Sequence, residues 1–144
     1  MNSQKFLLGG IVGGVVYFLL GWLVYGMLLK DFMSTNLWAS GTMRADADTI
    51  WWALGAGQLA GGFLLAYILG KANATSAGAG AGVGFIVGLL VCLSFDLTMY
   101  GVSTTVTSLK GLAADVAVSA VMSAIAGAVI GGILGMGKRA VAVA

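Results

Sequence analysis

Apolar residues in this chain do not alternate with polar ones; they gather into four long runs separated by short charge-bearing segments. Phe6–Leu29 lies between Lys5 and Lys30, Thr49–Gly70 between Asp48 and Lys71, and Val116–Gly137 between Asp115 and the Lys138-Arg139 pair. The third run falls within Ala77–Gly101 and is broken only by Asp96. Each is longer than the roughly 20 residues a helix needs to cross about 30 Å of hydrocarbon. Continuous runs, rather than period-two alternation, argue for helices and against a strand-built barrel. The pattern therefore predicts an all-α membrane protein, a single domain over 1–144, with spans at about 6–29, 49–70, 78–101 and 112–137.

Composition sharpens this and removes several kinds of chemistry. The 144 residues are 60% hydrophobic and 8% charged, against about a quarter charged in soluble domains. There is no Pro and no His, and one Cys. The lack of His removes a His-based metal site, a His general base and a Ser–His–Asp triad. The lone Cys92 allows neither an internal disulfide nor a CxxC site. No cofactor or metal motif is visible. A net charge of +2, with its basic residues scattered singly, is no footprint for nucleic acid.

Charge also orients the chain. Lys5, Lys71, Lys138 and Arg139 fall on one side, without an acid; Lys30, Arg44, Lys110 and all five Asp fall on the other. The basic-only side reads as cytoplasmic, with both termini there. The first run is too long for the apolar core of a signal peptide and reads as a retained anchor. The 31–48 loop is the one sizeable segment outside the spans, and its flanking Trp38, Trp51 and Trp52 suit an interfacial belt.

Two finer regularities run through the spans. The first and third align without gaps at an offset of 75, where Gly9, Gly13, Tyr25 and Gly26 meet Gly84, Gly88, Tyr100 and Gly101. The second and fourth align more weakly at an offset of 65, with Gly62 on Gly127 and Gly70 on Gly135. Two hairpins of the same orientation make a parallel repeat. In addition, small residues recur every four positions. Asp115, Ser119, Ser123, Gly127, Gly131 and Gly135 form such a row in the fourth span. Gly80, Gly84, Gly88, Cys92, Asp96 and Tyr100 form one in the third. Residues four apart share a helix ridge, and rows of small residues let helices approach closely in lipid.

These rows place two acids on packing faces. Counting at about 1.5 Å per residue, Asp96 lies about 27 Å above Gly78 and Asp115 about 34 Å above Lys138, so the two sit at comparable depth. If the rows face each other, the carboxylates meet, with Tyr100 and Ser119 one turn away. An ionisable group within a span is a functional-site candidate by default. Asp96, Asp115, Tyr100, Ser119 and the mid-span Gln58 are thus a candidate proton or cation site. Gln58 also suits a plain interhelical hydrogen bond, and Cys92 reads as a small packing residue.

The stretch FDLTMYG followed by LKGLAADVAVSAVMSAIAG resembles a family of small bacterial four-helix membrane proteins known as a domain of unknown function. Asp96-Leu97-Thr98 matches that family's third-helix Asp-Leu-Thr element, and Asp115 its fourth-helix Asp. Met99-Tyr100 stands where the family carries Asn, and the Trp-Gly near the fourth-helix Asp is absent. The amino-terminal FLLGWLVYGMLLKDFM is similar to a second uncharacterised family. The resemblance implies a four-helix bacterial membrane protein and brings no activity with it; the expected location is the bacterial cytoplasmic (inner) membrane.

Two functional readings follow. In the first, the chain is a non-enzymatic membrane protein that works through helix packing, as a homo-oligomer or as an accessory subunit of a larger membrane complex. In the alternative, it is a small proton- or cation-coupled transporter or channel using Asp96 and Asp115. A membrane enzyme has only Ser94, Ser119, Lys110 and the Asp residues to draw on, and no motif organises them.

Overall fold

The computed structural model describes residues 2–137 and is all-helical. It has five α-helices: α1 (Ser3–Leu23), α2 (Lys30–Asn36), α3 (Trp51–Lys71), α4 (Ala77–Val102) and α5 (Leu109–Gly135). A π-helical turn, Val24–Leu28, extends α1, so that four segments are long and apolar enough to cross a membrane. Lys138 and Arg139, half of the basic-only set used for orientation, lie outside the described residues.

Helix starts are set by local hydrogen bonds. Asn2 accepts from the Gln4 N–H at 2.9 Å, Ser76 from Ala79 at 3.2 Å and Ser108 from Gly111 at 3.1 Å. Each satisfies a backbone donor that the first turn leaves free. Ser108 explains why α5 starts ahead of the expected 112. Between α3 and α4 the chain reverses through Asn73, whose φ of 55° is a left-handed conformation that Asn tolerates better than most residues.

Two closely packed pairs make up the bundle, α1 with α3 and α4 with α5, joined mainly through α1 against α5. Glycine sets the approach in each. A Cβ at Gly62 on α3 would collide with the Gly10 carbonyl and the Gly14 backbone of α1. In the second pair, a Cβ on Gly80 or Gly84 would strike the carbonyls of Gly127 or Ser123. The reverse holds for Gly127 and Gly131 against Gly80 and Ser76. Gly135 lies on the Thr75 carbonyl, and Gly88 fits around the Ser123 side chain. These are backbone-to-backbone contacts, and only glycine permits them. A core of Leu65, Ala66, Leu69, Ala126, Ile130 and Leu134 fills the centre of that half of the bundle which carries the termini. There the Lys5 ammonium donates to the Met136 carbonyl.

The opposite end is closed by the 31–48 loop, which is not the plain connection the hydropathy pattern predicts. Its α2 folds back over the bundle and buries Met33 and Leu37 against Val106 and Leu112. Trp38 pairs with Val106 across a single antiparallel bridge, and the Thr107 N–H donates to the Leu37 carbonyl at 2.8 Å. Ser108 donates to the Asn36 carbonyl at 2.5 Å. Gly111 makes room for this seam, since a Cβ there would hit that same carbonyl. Trp51 and Trp52 remain exposed, whereas Trp38 is drawn into the cap. Lys30, the first residue of α2, and Asp46 form an exposed pair at 2.5 Å.

Candidate functional site

The site forms where the two i+4 rows of α4 and α5 run out of glycine. From the termini end toward the loop end, α4 presents Gly80, Gly84, Gly88, Cys92 and Asp96 to its partner. Antiparallel to it, α5 presents Gly131, Gly127, Ser123, Ser119 and Asp115. Up to Gly88 the backbones touch. Beyond it the side chains must fit between them, and these are the polar ones.

Asp96 is 1% exposed and Asp115 7%. The Cys92 sulfhydryl lies between the carboxylates, 3.5 Å from Asp96 Oδ2 and 3.7 Å from Asp115 Oδ2. Ligand-type atoms of all three residues lie within 4.8 Å of one another. From the π-helical turn that extends α1, the Tyr25 hydroxyl donates to Asp115 Oδ1 and sits 3.3 Å from Ser119 Oγ. Eight residues earlier, on α1 itself, Tyr17 donates to Ser123 Oγ at 2.8 Å. Two tyrosines spaced by two turns thus meet the Asp115–Ser119–Ser123 row on the antiparallel α5.

Among the described residues no basic side chain balances these acids. The described Lys and Arg residues fall at or near helix ends or in the 31–48 loop. Among the described residues the one ion pair is Lys30–Asp46, where the hydrogen bond to Asp46 and its charge raise the Lys30 pKa. Lys110, only one turn before Asp115, turns its ammonium over the Phe32 ring, 5.3 Å from the centroid. Two buried carboxylates without a counter-charge need a proton or another cation close by, because an isolated charge in low dielectric is very costly. Two carboxylates, a thiol and the hydroxyls of Tyr25 and Ser119 could hold such a cation. The set is oxygen-rich with a single sulfur, unlike the Cys- and His-built ligand sets of closed four-coordinate zinc sites.

A crevice of about 300 Å³ leads toward this cluster. It opens between α3 and α4, which scarcely touch each other. Cys92, Ser119 and Ser123 line its floor, and Gln58 and Gly61 its α3 wall. At the other end stands the Met33–Leu37–Val106–Leu112 cap, against which Ala114 and Val116, the chain neighbours of Asp115, are packed.

Of the sequence candidates, the structure brings Asp96, Asp115 and Ser119 together and puts Gln58 on the crevice wall. Tyr100, which the i+4 row would put one turn from them, is instead 44% exposed. Positions four apart advance about 40° around a helix, so the row that faces α5 at Gly88 has turned away by Tyr100. The tyrosine at the acids is Tyr25, its counterpart in the offset-75 alignment. Cys92, read from sequence as packing, is the residue between the carboxylates. Its place in the row, one turn from Asp96, was the available signal. Ser94 is exposed and the Lys110 ammonium is turned over Phe32, so neither joins Ser119 at the acids.

No protein-family model, curated protein or solved structure matches this chain.

Proposed function

We propose that this chain is a multi-pass protein of the bacterial inner membrane, a small proton- or cation-coupled transporter or channel working through Asp96 and Asp115. The observation that carries the reading is the meeting of two buried carboxylates inside helices of spanning length, with no basic side chain among the described residues to neutralise them. A structural role would be served more cheaply by a neutral pair, because burying acids costs stability unless something compensates. The crevice beside Cys92 and Ser119 supplies an approach from one side. The proposed orientation has both termini cytoplasmic, and the two hairpins are proposed to be a parallel repeat whose second half carries the acids.

In proteoliposomes, a proton or alkali-cation gradient should drive flux through the wild-type protein. Asp96→Asn or Asp115→Asn should reduce that flux to the level of empty vesicles while the fold is kept. Wild-type vesicles as tight as empty ones, tested with protons, sodium and potassium, would refute the reading.

A second reading has its own support. Gly55, Gly57, Gly78 and Gly82 face open space, so close-approach surfaces remain on the outside of α3 and α4 for another copy of the chain or a larger complex. The rows of Gly84, Gly88, Gly127, Gly131 and Gly135, however, are already occupied within one chain. Native mass spectrometry from mild detergent decides this: a monomer alone would count against the packing role.

A further inference from the structure

We infer that the crevice between α3 and α4 is a binding site for a small lipophilic organic cation, entered sideways from the bilayer. This deepens the transport reading by naming a substrate class, and it rests on that reading.

Three features of the crevice converge on such a ligand. Its rim is apolar and faces outward: Leu64, Val91 and Phe95 line it and are each half exposed or more. A solute already dissolved in lipid would therefore enter without crossing the capped loop end. The floor is polar, with Ser119, Ser123 and Cys92, and the rings of Tyr17 and Phe95 border the space. Aromatic faces attract cations, and the Tyr17 hydroxyl is already engaged with Ser123. The carboxylates stand directly behind the floor, since Cys92 lies between them and also lines the crevice. A wall one side chain thick, in a medium of low dielectric, screens their charge poorly. With no Lys or Arg in the crevice lining, the field there favours positive charge. A volume of about 300 Å³ is at the small end of ligand pockets, so the occupant is small. The Gln58 amide, on the opposite wall and without a hydrogen-bond partner among the described residues, offers an orienting contact.

The test is equilibrium dialysis of the full-length protein in nanodiscs with benzyltriethylammonium. Benzenesulfonate serves as an anionic aromatic control, and proton or alkali-cation flux is measured in parallel. Wild type should bind the cation saturably, and benzenesulfonate should not compete. Val91→Trp fills the crevice from its rim and should weaken binding roughly tenfold or more. Gly61→Leu fills it from the α3 wall, where a Cβ meets only the Tyr17 ring at 3.9 Å, and should do the same. Asp96→Asn with Asp115→Asn should also abolish binding. Unchanged binding in both crevice-filling variants, or in the double Asn variant, would overturn the inference. So would wild type that carries Asp-dependent proton or alkali-cation flux but never binds the organic cation; the transport reading would then survive alone. Loss of both flux and binding in wild type would overturn the two together.

Discussion

The α4–α5 interface has two halves built on one register. Near the termini, Gly80 and Gly84 lie on the carbonyls of Gly127 and Ser123, and nothing larger than hydrogen fits. Near the loop, the same two rows carry Cys92, Asp96, Asp115 and Ser119, and the helices are linked by side chains instead. The glycine half gains close backbone approach and dispersion contacts, which hold helices together in lipid. The acid half adds little to that. It keeps two carboxylates out of water and away from every described basic group, which is hard to justify by stability. Placing both on one ridge lets the rigid half hold the polar half in position.

The sharpest way to break the comparison is to put bulk into the glycine half. Gly84→Val pushes a branched side chain into the Ser123 carbonyl, and backbone cannot yield. A loss of roughly 3 kcal/mol or more is expected, measured by denaturant titration or steric trapping in bicelles. A loss below about 1 kcal/mol would mean the two helices do not touch there. In the acid half the effects should be smaller. Tyr25→Phe removes the hydroxyl that donates to Asp115 and should cost about 1–2 kcal/mol, with altered cation flux. Asp96→Asn combined with Asp115→Asn should leave stability within about 1 kcal/mol of wild type, or raise it, while flux disappears. If the double variant unfolds, the acids are structural and the contrast between the halves fails.

Lys30→Ala should have the least effect on stability, since the pair with Asp46 is exposed and screened by solvent. Its pH dependence has a definite sign. The Lys30 pKa is raised by the hydrogen bond to Asp46 and by its charge. Whatever the pair contributes is therefore fully present below lysine's ordinary 10.5 and fades only as pH rises through the higher folded-state value. A difference between wild type and Lys30→Ala that grew between pH 5 and 8 would contradict this assignment.

How far these halves could be read in advance depended on whether the signal was periodic. The glycine row Gly80–Gly84–Gly88 and its partner Gly127–Gly131–Gly135 repeat every four residues, so their shared ridge follows from helix geometry alone. The acids continue those rows, and their meeting was conditional on the rows facing each other. Tyr25 was different. It comes from the π-helical turn at the end of α1, whose contact with α5 no period in the sequence announces, and it was visible only as the alignment counterpart of Tyr100. Tyr100 itself showed how far a ridge can be extended before its rotation carries a residue off the interface. The α2 cap is a tertiary product: Met33 and Leu37 become a buried surface only because Val106, Ser108 and Gly111 receive them. The crevice, being a gap between α3 and α4, had no sequence signature at all.

The central claim is that one register joins the glycine contacts at one end to a carboxylate pair at the other. Cysteine crosslinking in native membranes tests it directly, with Asp96→Cys and Asp115→Cys introduced together on a Cys92→Ser background. The account predicts rapid disulfide formation under mild oxidant, and none for a control in which exposed Ala113 replaces position 115 as the cysteine site. Failure of the 96–115 pair to crosslink, or equal crosslinking by the control, would contradict it.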